Sequence, residues 1–167
     1  VHRFDSVLSL QIMKIFVTGS SGFIAFHLIR ELLNTGYNVV GIDDHNDYYN
    51  PDLKLKRLAI LESKNFTFHK MDINNIRIDD KNFDLAINLA AQAGVRVAKD
   101  KEYLYESSNI SGFKSFCNFC REKDINKILY ASSSSVYSDG DNRKFSEHET
   151  SLRPKSEYGK SKLLNEI

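Results

Sequence analysis

The sequence predicts an α/β fold with a doubly wound parallel sheet. Short apolar runs that suit buried strands alternate with amphipathic segments that suit helices along the 167 residues. The first run leads into a glycine turn and a helix, and the second run ends on an acid. A later run, Asp84 to Ala90, is almost continuously apolar, as expected for a central strand that is covered on both faces.

The elements follow one another in a regular order. Residues 1–12 are expected to form an irregular extension, and residues 13–167 to form one nucleotide-binding domain. Pro51 suits the first turn of the second helix, because proline needs no hydrogen-bond acceptor there. The predicted strands are Lys14 to Thr18, Asn38 to Asp43, Phe66 to Asp72, Asp84 to Ala90 and Lys127 to Ser132. The predicted helices are Phe23 to Leu33, Pro51 to Leu61, Glu102 to Lys123 and a last one from Ser156.

The glycine turn predicts a dinucleotide site of the Rossmann type. Gly19 permits a tight turn, and Gly22 lets the backbone approach a pyrophosphate at the helix N-terminus. Asp43 follows at about the distance, some 20 residues, at which such an acid binds the adenosine ribose hydroxyls. No arginine adjoins Asp43 and Asp44 adds a second negative charge, so the sequence predicts NAD rather than NADP.

A second pattern near the end of the chain predicts proton transfer. Tyr158 and Lys162 are four residues apart, which places both side chains on one face of a helix. The ammonium favours the ionised form of a neighbouring phenol, and a serine of the run Ser132 to Ser135 can orient the same substrate oxygen. Such a set supplies a general base, its activator and a hydrogen-bond donor. The tyrosine–lysine spacing is weak evidence alone, and the glycine turn gives it weight.

Four segments together resemble the extended short-chain dehydrogenase/reductase family. Within that family they are similar to the UDP-glucuronate 4-epimerase branch. The segments are Thr18 to Ile24, Gly41 to Asn50, Asn88 to Arg96 and Tyr130 to Tyr137. The resemblance implies NAD-dependent epimerisation of a nucleotide sugar at C4 through a 4-keto intermediate, converting UDP-glucuronate to UDP-galacturonate. It also implies that the chain is an N-terminal portion, truncated before a smaller substrate domain.

The resemblance implies a role for each matched residue. Ser133, Tyr158 and Lys162 are the expected catalytic group, with Ser135 as the alternative to Ser133. Arg96 and Ser135 are the expected substrate contacts. Asp72 is alternatively a helix cap, and Arg96 is alternatively a solvated arginine at a helix start. The residues expected to bind or support the cofactor are Gly19, Ser21, Gly22, Phe23, Ile24, Asp43, Asp72, Ile73, Leu89, Ala90, Ala91, Gln92, Asn109, Tyr158 and Lys162.

The composition indicates an ordinary globular chain. A net charge of +1 gives no electrostatic reason to expect nucleic acid or a membrane as a partner. We expect a cytoplasmic location, and the resemblance implies a homodimer for the full-length protein. Cys117 and Cys120 have the spacing of a metal motif, but they follow helical periodicity with Phe113 and Phe116, so core packing is favoured. No metal site is predicted.

Three alternative functions stay open. A 4,6-dehydratase is disfavoured because that subfamily carries Asp-Glu where this chain has Ser134 and Ser135. A UDP-glucuronate decarboxylase shares the early steps, and its distinguishing groups are expected beyond Ile167. The third alternative is an inactive NAD-binding fragment, because the substrate would be held mainly by the second domain.

Overall fold

The computed structural model describes residues 12–137, 144–149 and 152–167, so most of the predicted N-terminal extension lies outside the described residues. The strands are β1 (Lys14–Thr18), β2 (Asn38–Asp43), β3 (Phe66–Lys70), β4 (Leu85–Asn88) and β5 (Ile128–Tyr130). They form one parallel sheet in the order β3-β2-β1-β4-β5. The predicted parallel α/β fold is confirmed.

Four α-helices connect or follow these strands. They are α1 (Phe23–Asn34), α2 (Pro51–Ile60), α3 (Gly112–Glu122) and α4 (Glu157–Leu164). Pro51 occupies the first turn of α2 as predicted, after an Asn50 cap whose side chain accepts a hydrogen bond from the Asp52 amide. The long helix predicted from Glu102 is only partly α-helical, because a π-helical stretch, Tyr105–Ser111, leads into α3.

The central strand β1 places its side chains alternately on the two faces of the sheet. Ile15 and Val17 pack into one apolar cluster with residues of α1, and Phe16 packs into the other with residues of α3. The ring of Phe16 lies 4.7 Å from that of Phe119, between centroids. Both faces of the sheet are therefore covered, which explains why its central strands read as continuous apolar runs.

The order of the strands reverses at β1. The chain moves outward from β1 to β2 and β3, and then returns to place β4 on the other side of β1. In open parallel sheets of this kind, ligands bind in the crevice outside the carboxyl ends of the strands at such a reversal. Thr18 and Asn88 end β1 and β4 and are paired in register, so the segments that follow them lie together.

The sheet is irregular at its two edges. The predicted third strand ends earlier, at Lys70, because Asp72 caps a short 3-10 turn, Ile73–Asn75. The last strand is only three residues long, and its residues Ile128, Leu129 and Tyr130 are exposed, so it is not a covered central strand. No helix in the described ranges has the length and apolar character needed to cross a membrane.

Candidate functional site

The glycine turn between β1 and α1 is packed closely against the segment after β4. Gly19 has a φ of +67°, and a Cβ atom on it would lie 2.7 Å from the amide nitrogen of Ala90. The Gly22 amide donates to the Gly19 carbonyl oxygen at 2.9 Å, and a Cβ on Gly22 would also lie 2.9 Å from that oxygen. Both positions require glycine, as the sequence predicts.

The first turn of α1 is suited to an anion. Within the described part of the chain no side chain caps this helix, and its first turn holds no acid. The amides there have no intrahelical partner, and the helix dipole makes this end positive. Phe23 and Ile24 at the helix start are 64% and 66% exposed, whereas Ser21 is buried. The free backbone amides at this helix start suit the pyrophosphate of the predicted dinucleotide.

Asp43, the predicted ribose-binding acid, is buried and already holds several partners. Its Oδ2 accepts a hydrogen bond from the Ser21 amide at 3.3 Å, and its Oδ1 accepts one from the His45 amide at 2.9 Å. The Nζ of Lys54 also donates to Oδ1, at 3.0 Å. No arginine adjoins Asp43 in the sequence, but Lys54 balances its charge from α2, a contact that the sequence analysis did not predict.

Sequence reasoning missed Lys54 because the hydropathy pattern of α2 predicts the wrong residues to be buried. Leu53 and Leu55 are 46% and 53% exposed, while the lysine between them is 4% exposed. Lysine is almost never fully buried unless it is paired, so hydropathy predicts the reverse. The available signal was the position of Lys54 on the helix that follows the acidic segment Asp43-Asp44.

Asp72 and Ile73, the predicted adenine contacts, have clear structural roles. Asp72 is exposed, and its Oδ1 accepts hydrogen bonds from the backbone and side-chain nitrogens of Asn74 at 2.8 and 3.0 Å. Asp72 thus caps the short turn, which agrees with the alternative hypothesis that it is a helix cap. Ile73 is buried in the core, where its Cγ2 would lie 2.6 Å from a Cβ on Gly112. Their contact with adenine stays a prediction.

The segment after β4 is held by hydrogen bonds to its neighbours. The amide of Leu89 donates to the Thr18 carbonyl oxygen at 3.3 Å, and the amide of Ala90 donates to the Thr18 hydroxyl at 3.2 Å. Leu89, Ala90 and Ala91 are half-buried beside the glycine turn, and Gln92 is buried. Small residues at this place leave room for a ligand to approach the backbone.

Asn109 holds this segment from the π-helical stretch. Its Oδ1 accepts a hydrogen bond from the Gln92 amide at 2.7 Å, and its Nδ2 donates to the Gln92 carbonyl oxygen at 3.3 Å. The same Nδ2 donates to the Ser161 hydroxyl at 2.9 Å. The side chain is 1% exposed, so Asn109 supports the site through protein contacts.

Helix α4 carries the predicted base and its activator. The Nζ of Lys162 lies 6.0 Å from the ring centroid of Tyr158 and donates to the Ala131 carbonyl oxygen at 3.0 Å. Burial lowers the pKa of Lys162 below its ordinary value, because a desolvated ammonium is disfavoured. The spacing prediction that both side chains share one helix face is confirmed.

The serine turn lies directly against this helix. Ser133 begins a short 3-10 turn, Ser134–Val136, and its Oγ accepts a hydrogen bond from the Ser135 amide at 3.1 Å. A Cβ on Gly159 would lie only 2.3 Å from the Ser135 carbonyl oxygen. Gly159 therefore allows the close approach that brings Ser133 and Ser135 to the helix of Tyr158.

A loop between Ala93 and Ala98 borders the same region. Tyr105 is buried, its hydroxyl donates to the Gly94 carbonyl oxygen at 2.6 Å, and its ring lies 6.0 Å from that of Tyr158. Arg96 is exposed on this loop, so its contact with substrate stays a prediction. Sequence reasoning missed Tyr105, whose position is apparent only from the packing of the π-helical stretch.

The cysteines belong to the core. Cys120 is fully buried, and burial raises its thiol pKa to about 12, while the half-buried Cys117 packs against the same cluster. Across the described residues, no three His, Cys, Asp or Glu side chains come together as metal ligands.

Comparison with known proteins decides the family. The sequence pattern of the NAD dependent epimerase/dehydratase family matches residues 15–167. The chain belongs to this family. Members are NAD dependent, so the predicted cofactor is confirmed at the level of the family. The geometry of the glycine turn described above suits this cofactor.

Individual members of the epimerase/dehydratase family extend the comparison. Protein CapI of Staphylococcus aureus is 39% identical over 161 residues, which cover 93% of this chain and 48% of that protein. UDP-glucuronate 4-epimerase 4 of Arabidopsis thaliana is 38% identical over 162 residues, which cover 92% of this chain and 37% of the enzyme. The chain thus spans half or less of the length of these two relatives.

A solved structure agrees with the observed fold. The crystal structure of UDP-glucuronic acid 4-epimerase from Bacillus cereus in complex with NAD superimposes with a TM-score of 0.81 at 34% identity. The match covers 92% of this chain and 50% of that one.

Proposed function

We propose that this chain carries the cofactor and reaction site of a nucleotide-sugar C4 epimerase that converts UDP-glucuronate to UDP-galacturonate. The observation that carries the proposal is the placement of Tyr158 and Lys162 on one face of α4, against the turn that begins at Ser133. That turn follows β5, at the carboxyl end of the same sheet whose first strand enters the glycine turn.

The proton chemistry rests on three side chains. The phenol oxygen of Tyr158, when ionised, takes the proton of the sugar hydroxyl at C4 and later returns it. Lys162 supplies positive charge beside the tyrosine ring, and the hydroxyl of Ser133 orients the same sugar oxygen. When bound, NAD supplies the acceptor and donor of the hydride that C4 loses and regains on its opposite face.

The cofactor is assigned to the groups around the strand reversal. We assign the pyrophosphate to the glycine turn and the first turn of α1, and the adenosine ribose to Asp43. The nicotinamide end is assigned to the segment Leu89 to Gln92, which Asn109 holds in place. Small residues and the close approach of Gly19 to Ala90 support this assignment.

The choice of UDP-glucuronate rests on sequence resemblance and on similar proteins. A tyrosine-to-phenylalanine variant of the Bacillus cereus enzyme, 34% identical to this chain, was crystallised with UDP-4-deoxy-4-fluoro-glucuronic acid and NAD. We assign Arg96 to the uronate carboxylate, because a guanidinium pairs bidentately with such a group. Ser135 is assigned to the sugar. A homodimer and a cytoplasmic location stay predictions.

Product analysis tests the proposal. The chain is incubated with NAD and UDP-glucuronate, and the sugar nucleotides are identified by NMR. UDP-galacturonate supports the proposal, whereas a pentose product indicates a decarboxylase. If neither forms while calorimetry still detects NAD binding, the chain alone is an NAD-binding module.

A further inference from the structure

The buried lysine beside the ribose-end acid is the feature that neither the fold nor the proposed reaction accounts for. The side chains of Lys54 and Asp43 are 5% and 6% exposed, and their Nζ and Oδ1 atoms are 3.0 Å apart. The Nζ also lies 3.5 Å from the Asn46 Oδ1 and 3.8 Å from the Asp44 Oδ1. A charged pair this well buried has an energetic cost, so its position calls for a function.

A second cation lies one helical turn further along α2. The Nη1 atom of Arg57 donates to the Ser21 carbonyl oxygen and to the Tyr49 hydroxyl, each at 3.2 Å. Its guanidinium carbon is 5.7 Å from the ring centroid of Phe23 at the start of α1. Lys54 and Arg57 thus bring two positive charges to the acid and to the glycine turn.

The hydrogen bonds of Asp43 leave one acceptor position. An ionised carboxylate offers about four lone-pair sites. Oδ1 accepts from both the His45 amide and Lys54, and Oδ2 accepts from the Ser21 amide. The remaining acceptor site is on Oδ2. The ammonium of Lys54 balances the negative charge of the Asp43 carboxylate.

We propose that Lys54 is a specificity-determining residue whose ammonium can bind a 2′-phosphate on the adenosine ribose. In this chain Asp43 is the internal counter-ion of that ammonium and prevents this binding. With Asp43 present, its free oxygen accepts a ribose hydroxyl, and its ion pair with Lys54 keeps the ammonium from binding a 2′-phosphate. Without Asp43, the ammonium of Lys54 becomes available, and cations beside this ribose position are what admit a 2′-phosphate. The inference rests on the assignment of the adenosine ribose to Asp43.

The test compares the binding of two adenosine fragments, 5′-AMP and 2′,5′-ADP, by titration calorimetry, with NAD and NADP as full-length probes. The variants are Asp43→Ser, Lys54→Met and the double variant, with Lys56→Met as a matched control because Lys56 is exposed on the same helix. Asp43→Asn, which keeps the size of the side chain, replaces Asp43→Ser if that variant fails to fold. Circular dichroism establishes folding.

We expect the wild type to prefer 5′-AMP. Asp43→Ser should raise the affinity for 2′,5′-ADP relative to 5′-AMP by about tenfold or more, as expected for a charge-assisted phosphate contact. The gain should vanish in the double variant, and Lys56→Met should bind both fragments like the wild type. A gain of equal size in the double variant, or no gain in Asp43→Ser, overturns the role of Lys54.

The same measurements also test the underlying assignment of the adenosine ribose to Asp43. If Asp43→Ser changes the affinity for neither 5′-AMP nor NAD, Asp43 does not contact the ribose. That outcome overturns the cofactor placement and the inference with it. If Asp43→Ser weakens NAD but the phosphate gain does not depend on Lys54, the placement stands and only the inference fails.

Discussion

The carboxamide of Asn109 joins two parts of the site that are distant in sequence: its Nδ2 donates to the Ser161 hydroxyl at 2.9 Å, and its Oδ1 accepts from the Gln92 amide at 2.7 Å. The Ser161 hydroxyl in turn donates to the Tyr158 carbonyl oxygen at 2.8 Å. One buried side chain therefore fixes the spacing between the segment after β4 and the helix that carries Tyr158.

Replacing Asn109 by alanine should strongly destabilise the protein. The change leaves the buried Gln92 amide and carbonyl without partners, and unsatisfied buried groups cost about 1–3 kcal/mol each. We expect a loss of about 2–4 kcal/mol in the free energy of unfolding, measured by urea denaturation. Asn118→Ala, at an exposed position on α3, should stay within about 0.5 kcal/mol of the wild type. Equal effects of the two changes would contradict the bridging role.

Gly159→Ala should lower stability, although alanine normally stabilises a helix by about 1 kcal/mol over glycine. The new Cβ would lie 2.3 Å from the Ser135 carbonyl oxygen and 2.9 Å from the Cβ of Pro154. The serine turn must move away, and we expect a net loss of about 1–3 kcal/mol in urea denaturation. A more stable variant would show that α4 and the serine turn are not in close contact.

Tyr158→Phe should abolish most of the turnover in a form of the protein that converts UDP-glucuronate. The change removes the proton acceptor and keeps the ring that packs near Tyr105, so the rate should fall by about 10²–10⁴. NAD binding, measured by calorimetry, should change little. Tyr103→Phe is the control, because Tyr103 is 65% exposed and its hydroxyl should not contribute to the reaction. A near-normal rate for Tyr158→Phe would mean that another group is the base.

The stability of the protein should rise with pH in the alkaline range because of Lys162. Its folded pKa is lowered by burial from the ordinary value of 10.5, so between the two values the unfolded chain binds more protons than the folded one. Stability therefore increases as pH rises through this window, and the cost of burying the ammonium is present below it.

Urea denaturation of the wild type and of Lys162→Met between about pH 7 and 10 measures this effect. The wild type should gain stability relative to the variant as pH rises. Lys160→Met, at an exposed position two residues earlier on the same helix, should show a constant difference from the wild type. If the free energy of unfolding of the wild type instead fell relative to that of Lys162→Met as pH rises, the buried ammonium would be contradicted.

The features that depend on local backbone chemistry were predictable from the sequence. The turn at Gly19 and Gly22 and the helix spacing of Tyr158 and Lys162 follow from steric and periodic rules, which hold in any tertiary context. The parallel sheet followed from the apolar runs, because both of its faces are covered.

The features that depend on tertiary contacts were not predictable. Lys54 is buried between exposed leucines because its partner Asp43 lies on another element. The last strand reads as apolar, yet Leu129 is 57% exposed because β5 forms an edge of the sheet in the described structure. Hydropathy records the preference of a residue and carries no information about its partner.

The π-helical stretch Tyr105–Ser111 has a consequence for how this site can vary. A π-turn holds one residue more than an α-turn, so the direction of Asn109 and Tyr105 is determined by the number of residues in the stretch. Deleting one residue would rotate every later side chain of the helix by about 100°, the angle between neighbours at 3.6 residues per turn. No substitution restores a missing residue, so the two side chains keep their directions only while the length of this segment is preserved.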